Sequence, residues 1–213
     1  MTVAAIHLHR DDLPAAVRFA DTVAIDTETM GLKPERDRLC LLQLSAGDGV
    51  CHLVQFSNPA GSPEETARAA PNLRALLNDP AVTKLFHFGR FDIAMLSRAL
   101  GVTCRPVYCT KIASRLARTY TDRHGLKDLC RELLGIELAK EQQSSDWGAE
   151  ALSEDQQRYA AGDVLYLHAL KAKLDAMLAR EGRVDLARAC FEFLPHRALL
   201  DLAGWPDEDI FAH

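Results

Sequence analysis

The chain's first candidates for chemistry are two carboxylates, Asp26 and Glu28, in the run AIDTET. Residues two apart in an extended chain project from the same face, so both carboxylates would leave the end of a strand together. An isolated pair of this kind is far more often an ordinary polar strand end than a metal site. Further acids are needed before the pair indicates chemistry.

Two more acids occur later in the chain. Asp92 follows the apolar run LFHF and falls in the first turn of a predicted helix, where the helix dipole alone favours an acid. Asp163 lies within a predicted helix, four residues after Tyr159 and on the same face. An acid there cannot be a cap, and Gly162 beside it costs about 1 kcal/mol of helix propensity. Close approach of a ligand or of backbone would explain that glycine.

Four carboxylates gathered in one place would repel one another, which points to bound cations. Hard cations such as Mg²⁺ take oxygen ligands, and substrate phosphate often completes their coordination. A pair of such ions can stabilise both the attacking and the leaving oxygen of an in-line displacement at phosphorus. The acids together therefore indicate two divalent cations, Mg²⁺ or Mn²⁺, and phosphodiester hydrolysis.

The elements that must position these acids come as strands first and helices later. Apolar and β-branched runs predict strands over 22–26, 39–45, 50–55 and 82–88, and SNPAGSPEE predicts a loop over 57–65. Periodicity predicts helices over 71–78, 91–100, 110–118, 126–134, 153–180 and 184–194. Ser153 and Gln156 form a capping box that sets where the long helix begins. This order favours one α/β (mixed α+β) domain, with a mostly antiparallel sheet, one parallel strand and flanking helices.

Composition sets limits on partners and location. The 213 residues carry 25 Lys and Arg against 30 Asp and Glu, a formal net charge of −5, with 48% apolar residues. This excludes a disordered chain and disfavours a protein that coats long nucleic acid, although a small nucleic-acid substrate remains open. The chain has no apolar run of roughly 20 residues and no secretory signal, which predicts a cytoplasmic protein with no membrane partner. The six cysteines lie in apolar stretches without a C-x-x-C pair and are expected to be reduced core thiols.

The acids and Tyr159 resemble, in order and separation, the three exonuclease motifs of the DEDDy 3′–5′ exonucleases of the ribonuclease D branch. Gln143-x-Ser145-Asp146-Trp147 also resembles the ribonuclease D pattern. Closer still, DTETMGL, FHFGRFD, CTKIAS, RTYTDRHGLK, QQSSDW and the ending LDLAGW…DIFAH resemble the small stand-alone nanoRNase C family over essentially the whole chain. Unlike full-length ribonuclease D, the chain is expected to have no C-terminal helical nucleic-acid-binding domain.

This resemblance implies a ribonuclease H-like, DnaQ-like exonuclease fold in one domain over 1–213. It implies that Asp26, Glu28 and Asp163 hold the metal that binds the attacking water, while Asp26 and Asp92, directly or through water, hold the metal that faces the leaving 3′-oxygen. Tyr159 would orient or deprotonate that water, and orientation suits its ordinary pKa near 10 better. The implied reaction releases nucleoside 5′-monophosphates from very short RNAs, down to dinucleotides.

Other positions are candidates for substrate binding. Leu32 matches the leucine that separates the two terminal bases in related oligoribonucleases, with a core leucine as the alternative, and Met30 would pack beside it. His87 could donate to a phosphate or be hydrogen-bonded in the core. Lys111 and Arg115, with Arg118, form a basic helix face that could guide phosphate, although most such faces are simply solvated.

Partners and competing functions follow from the same resemblance. It implies a homo-oligomer, a ring of eight subunits, and the apolar residues of segment 195–213 could dock on a neighbouring subunit. A second enzymatic hypothesis is a 3′–5′ exonuclease that acts on longer RNA or on DNA ends. A hypothesis of another class is a catalytically silent nucleic-acid-binding scaffold, against which the complete set of four acids and Tyr159 argues.

Overall fold

The computed structural model describes residues 5–57, 62–138 and 145–213, and six strands and eight helices account for most of them. The strands are Ala5–Arg10 (β1), Thr22–Thr29 (β2), Leu39–Ser45 (β3), Val50–Gln55 (β4), Thr83–Phe86 (β5) and Val107–Cys109 (β6). The helices are Pro63–Ala69 (α1), Pro71–Asn78 (α2), Arg90–Leu100 (α3), Thr110–Ala117 (α4), Leu126–Leu129 (α5), Glu154–Leu165 (α6), Leu167–Arg180 (α7) and Val184–Leu202 (α8). A π-helical turn over Cys130–Leu134 continues α5.

The strands form one mixed sheet in the order β1-β4-β3-β2-β5-β6. β2, β3 and β4 are antiparallel neighbours, whereas the β1–β4, β2–β5 and β5–β6 pairs are parallel. The prediction of a mostly antiparallel sheet with one parallel strand is therefore wrong. The error arose because two parallel strands, β1 and β6, were not predicted: β1 is a half-exposed edge strand, and β6 has only three residues.

The register of the central strands decides which face carries the acids. Asp26 pairs with Gln43, and Glu28 pairs with Leu41 on β3, so all four side chains share one face of the sheet. α6 packs across β2, β3 and β4, and β3 is buried along its whole length. β2, the strand that carries Asp26 and Glu28, lies between β3 and β5 in the sheet. These neighbours make β2 a rigid support for the acids.

Three predicted boundaries differ from the structure. The helix predicted over 153–180 divides at Tyr166, because α6 lies on the sheet while α7 packs against α4. α8 passes through Pro195 and continues to Leu202, where its C-terminal half packs on α3. Within the loop predicted over 57–65, a helix already begins at Pro63, capped by Ser62; residues 58–61 lie outside the described residues.

The cysteines and the helices bear on two further predictions. All six cysteines are free, and five are buried as predicted, but Cys190 is exposed on α8 and is not a core thiol. No helix in the described ranges has both the length and the apolar character that crossing a bilayer requires.

Candidate active site

Three of the predicted acids meet where the end of β2 faces α6. Asp26, Glu28 and Asp163 each place a carboxylate oxygen within 4.8 Å of the others. The strand supplies two of them because its alternation turns both to one face, and the helix supplies the third. Ser153 accepts a hydrogen bond from the Gln156 amide at 3.2 Å, so the predicted capping box fixes the start of α6.

Asp92 lies beside this cluster in the first turn of α3, as predicted, and is buried. Its carboxylate accepts a hydrogen bond of 2.6 Å from the hydroxyl of Thr27, the residue between the two strand acids. Gly89 lets the chain turn tightly into α3, because a Cβ there would come within 2.6 Å of the Phe86 side chain. The turn places Asp92 near the other three carboxylates.

The carboxylates shift one another's pKa values upward. Burial raises the pKa of Glu28 to about 9, and the charges of Asp163 and Asp92 add to the shift. Burial and the neighbouring acids also raise the pKa values of Asp26 and Asp163. Burial raises the pKa of Asp92 too, although the Thr27 hydroxyl opposes the shift. Such a cluster is unfavourable when ionised alone, so it suits a positively charged ligand.

The donor set fits a hard divalent cation. Every atom that Asp26, Glu28 and Asp163 offer is a carboxylate oxygen, and neither nitrogen nor sulfur belongs to the group. Oxygen-only sites with several carboxylates favour Mg²⁺, Mn²⁺ or Ca²⁺ over softer metals. Bound positive charge would offset the repulsion that raises these pKa values.

Tyr159 lies one turn before Asp163 on α6 and is half-buried. Its ring centre is 6.1 Å from that of Trp147. Burial, followed by the charges of Asp163 and Glu28, raises the pKa of Tyr159 above its ordinary value. The phenol is therefore protonated near neutral pH and can orient a water molecule, which agrees with the role favoured from its ordinary pKa.

Residues 146–149, called here the Trp147 segment, are held beside α6 by hydrogen bonds from the side chains of other elements. The side-chain amide of Gln156 donates to the Asp146 backbone carbonyl at 3.1 Å, and that of Gln55 donates to the Ala149 backbone carbonyl at 2.8 Å. Trp147 itself is buried. Gln143, the first residue of the predicted motif, lies outside the described residues.

Leu32 and Met30 follow β2 and remain exposed beside the acids. Leu32 is 86% exposed, so the alternative of a core leucine is wrong, and a contact with substrate stays a prediction. Met30 is 52% exposed, and its sulfur lies against Gly148. Both side chains are free to meet a ligand.

His87 is hydrogen-bonded within the protein. Its Nδ1 lies 2.9 Å from the hydroxyl of Thr110, and that hydroxyl donates to the Phe86 carbonyl at 3.2 Å, so Nδ1 is assigned as the protonated nitrogen. Burial, with the nearby charge of Lys111, lowers the pKa of His87 to about 3. A neutral ring with Nδ1 protonated leaves Nε2 able to accept but not donate, which disfavours the predicted donation to phosphate.

The predicted basic face is only partly present. Arg118 is fully buried: its guanidinium donates to the Ser114 hydroxyl and pairs with Glu132. Arg118 therefore holds the α4–α5 region together and cannot guide a substrate. Arg115 is exposed, while the Lys111 ammonium lies 3.8 Å from the centre of the Phe88 ring.

Thr27 and Phe88 were not identified from the sequence. Nothing in the local sequence marks the Thr27 hydroxyl, because its partner is 65 residues away. Phe88 is 49% exposed and has a φ of 62°, which places a bulky residue in the left-handed region. An aromatic residue directly before a glycine at a predicted strand–helix junction was the available signal.

At Gly162, an added Cβ would meet nothing within 4 Å, so no backbone approach explains that glycine.

The chain matches known nucleases over most of its length. A family model described as 3′–5′ exonuclease matches residues 10–179. The chain is similar to Brucella melitensis NrnC, with 56% identity over 98% of both chains and a TM-score of 0.91. Structures of that protein include one bound to pGG and one with bound Mg²⁺.

More distant relatives are longer proteins. Ribonuclease D of Acidiphilium cryptum is 36% identical over 163 residues, which are 76% of this chain and 39% of that protein. The structure of Escherichia coli RNase D matches at 26% identity with a TM-score of 0.71, over 84% of this chain and 45% of that one. The chain thus spans about two fifths of the length of the curated relatives it matches.

Proposed function

The chain belongs to the 3′–5′ exonuclease family and has the DnaQ-like fold of ribonuclease D, and we propose that it hydrolyses very short RNAs, including dinucleotides, to nucleoside 5′-monophosphates. The observation that carries the proposal is the convergence of Asp26, Glu28 and Asp163 within 4.8 Å, with Asp92 beside them. Similarity over 98% of the chain to a protein solved with pGG supports the short substrate.

We assign the four acids to two divalent cations, Mg²⁺ or Mn²⁺. Asp26, Glu28 and Asp163 would hold one, and Asp26 with Asp92 would hold the other. Bound there, the cations supply charge that activates a water and stabilises the leaving oxygen. The raised pKa values of these carboxyl groups support the assignment, because ionised side chains in this position need positive charge nearby.

The chain's own groups contribute orientation. The Tyr159 hydroxyl would orient the attacking water, since its raised pKa keeps the phenol protonated. Leu32 and Met30 would meet the bases, and Lys111 and Arg115 would attract the phosphate. His87 would accept a hydrogen bond from a substrate hydroxyl through Nε2, because its Nδ1 is engaged by Thr110.

A homo-oligomer, a ring of eight subunits by resemblance, is proposed as the working form. Large apolar side chains stay exposed on α8 and beyond it, and their exposed fractions reach 61% at Leu186 and 76% at Phe211. Exposed apolar surface of this kind often marks an interface. Light scattering after gel filtration tests the assembly, and a monomer at micromolar concentration would contradict it.

Action on longer RNA or on DNA ends is the second candidate function. Its support is the similarity to ribonuclease D, which has the same fold but is about twice as long. A catalytically silent nucleic-acid-binding scaffold has less support as a hypothesis. Such a protein would not need the four acids, and these acids lie together.

Hydrolysis of a 5′-labelled dinucleotide tests the proposal. We expect Mn²⁺-dependent release of the labelled monophosphate by the wild type, complete loss in EDTA, and at least a thousandfold lower rate for Asp163→Asn. Asp155→Asn, an exposed acid on the same helix, is the matched control and should keep the wild-type rate. Equal, negligible turnover by wild type and Asp163→Asn would end the enzyme hypothesis.

A further inference from the structure

Phe88 has a backbone conformation that its side chain does not favour. Its φ of 62° lies in the left-handed region, which costs roughly 1–2 kcal/mol for most residues other than glycine and asparagine. Strain of this kind usually persists where a functional site requires it. Burial does not account for the aromatic ring, because 49% of the residue is exposed.

Phe88 lines a groove of about 270 Å³, and Phe91, the neighbour of Asp92 in the chain, lines it as well. Leu32 lines the same groove, and Pro206 adds further apolar surface. Leu32 comes four residues after Glu28, and Phe88 comes four residues before Asp92. The segments that follow β2 and precede α3, the elements that carry these metal-binding candidates, therefore also contribute to the groove. The volume is close to the lower end for small-ligand pockets, about 300 Å³, which suits a single nucleoside.

Charge indicates which nucleoside the groove would take. The carboxylates of Glu35 and Asp207 line it, whereas Asp201 is engaged by Arg90 at 2.6 Å. Such carboxylates repel a phosphate but can accept hydrogen bonds from ribose hydroxyls. The 3′-terminal nucleoside of an RNA carries hydroxyls and no further phosphate, so it fits this groove better than any internal position.

Lys111 covers one side of the Phe88 ring, with its ammonium 3.8 Å from the ring centre. This contact orients the ring and leaves its other side for a second partner. Base–aromatic stacking is a common way to hold single-stranded nucleic acid and tolerates any base.

We propose that Phe88 is a specificity-determining residue that stacks on the 3′-terminal base of the bound RNA, opposite Leu32. The proposal deepens the proposed function and rests on it. Phe88 thus keeps its strained conformation because the ring is needed in the groove.

The test compares Phe88→Asn and Phe88→Tyr with the wild type. Asparagine tolerates a positive φ, so Phe88→Asn removes the ring and relieves the strain. We expect its Tm to equal or exceed that of the wild type, while KM for a dinucleotide rises about 10- to 100-fold with a much smaller change in kcat. Phe88→Tyr should restore KM to within about threefold of the wild type, because it keeps the ring.

A dinucleotide whose 3′ residue is abasic separates stacking from other causes. The KM ratio between Phe88→Asn and wild type should fall to near one for this substrate. A ratio that stays high, or that falls only when the 5′ residue is abasic, would overturn the proposal, and so would a lowered Tm with unchanged KM.

Binding without turnover distinguishes the proposal from the function on which it rests. The Kd of fluorescent dinucleotide is measured in Ca²⁺ for the same variants. Loss of affinity in Phe88→Asn together with an inactive wild type would contradict the proposed function and retain the stacking. An active wild type with unchanged Kd and KM in Phe88→Asn would retain the function and contradict the stacking.

Discussion

At the scale of single residues, the Thr27 hydroxyl links two of the site's acidic segments. It lies on β2 between Asp26 and Glu28 and donates to Asp92 on α3 at 2.6 Å. This hydrogen bond favours the ionised form of Asp92 and opposes the rise in pKa that burial causes. The hydroxyl therefore helps to keep a buried acid available as an anionic ligand.

Thr27→Val should shift the pH dependence of the reaction. Without the donor, the pKa of Asp92 rises further, so the acidic limb of the kcat/KM profile moves to higher pH. The loss of the bond should also reduce the free energy of unfolding by about 1 kcal/mol. Thr22→Val, at the other end of the same strand, is the matched control; an unchanged acidic limb in Thr27→Val would contradict the account.

Asp163→Asn should stabilise the metal-free protein although it removes activity. The substitution removes one of the charges that raise the pKa values of Asp26 and Glu28. We expect a gain of about 1 kcal/mol at pH 8 in EDTA, or roughly 2–4 °C in Tm. The increase in Tm that Mn²⁺ gives the wild type should be largely lost, and a variant that still gains it would argue against metal binding here.

The acids could be predicted from residue type and spacing, whereas their supporting residues could not. Two carboxylates two apart on a strand share a face whatever the rest of the fold does. The role of Thr27 depends on a partner 65 residues away, and that of Phe88 depends on a backbone angle. The Thr27 hydroxyl therefore has no local sequence signal, and the only local signal for Phe88 is its place before a glycine at a predicted strand–helix junction.

At the scale of elements, α6 carries Asp163 and Tyr159, and its capping box sets their register. The Ser153 hydroxyl accepts from the Gln156 amide at 3.2 Å, and the Gln156 side chain accepts from the Ser153 amide at 2.9 Å. Gln156 also donates to the Asp146 carbonyl, so the same residue fastens the Trp147 segment. The cap therefore helps to position the Trp147 segment next to Tyr159 as well as stabilising the start of α6.

Ser153→Ala should cost about 1 kcal/mol of stability and also lower kcat. α1 has the same capping box at Ser62 and Glu65, at a helix that carries none of the site's residues. Ser62→Ala is therefore the matched control, with a similar or smaller loss of stability and unchanged kinetics. Equal effects on kcat in both variants, or none in either, would show that the cap of α6 does not position the site.

Arg115 on α4 and Arg118, which directly follows α4, should behave differently. Arg118→Ala removes a buried guanidinium with several hydrogen bonds and should lower the free energy of unfolding by about 3 kcal/mol. Arg115→Ala should change it by less than about 0.5 kcal/mol but raise KM for RNA, and this rise should shrink at high salt. Urea unfolding and a salt series measure both effects, and the opposite assignment of roles would contradict the structure.

Element types were easier to predict than their arrangement. α2 was predicted with its observed bounds, because a proline at the first helical position and apolar periodicity agree there. β1 and β6 were missed, and the α6–α7 break was not predicted, because each depends on packing against distant parts of the chain. The direction of the outer strand pairs consequently could not be inferred.

At the scale of the whole molecule, acidity is concentrated where it can be neutralised. The formal net charge is −5, and four carboxylates belong to the candidate site. Two divalent cations would bring the charge to about −1, since −5 + 4 = −1. The acidic balance therefore does not oppose a nucleic-acid substrate, although no basic excess favours a long one.

The metal-free protein should lose stability as pH rises. In the folded protein the site's carboxyl groups have pKa values above the ordinary value near 4, and that of Glu28 is about 9, so they keep protons that the unfolded chain releases. The free energy of unfolding in EDTA should then fall between pH 7 and pH 9. This range lies above the pH at which histidines ordinarily titrate. Mg²⁺ should flatten this slope, and Glu28→Gln should reduce it without metal; a Tm in EDTA that is constant or rises would contradict the account.

A competition between a short and a long RNA shows whether the protein prefers dinucleotides. The wild-type protein in Mn²⁺ is given equal concentrations of a 5′-labelled diribonucleotide and a 5′-labelled 20-mer RNA in one tube, and both are followed with time. We expect the dinucleotide to be converted to labelled monophosphate while the 20-mer stays nearly intact. Progressive shortening of the 20-mer while the dinucleotide persists would contradict the proposal that this exonuclease acts on very short RNA.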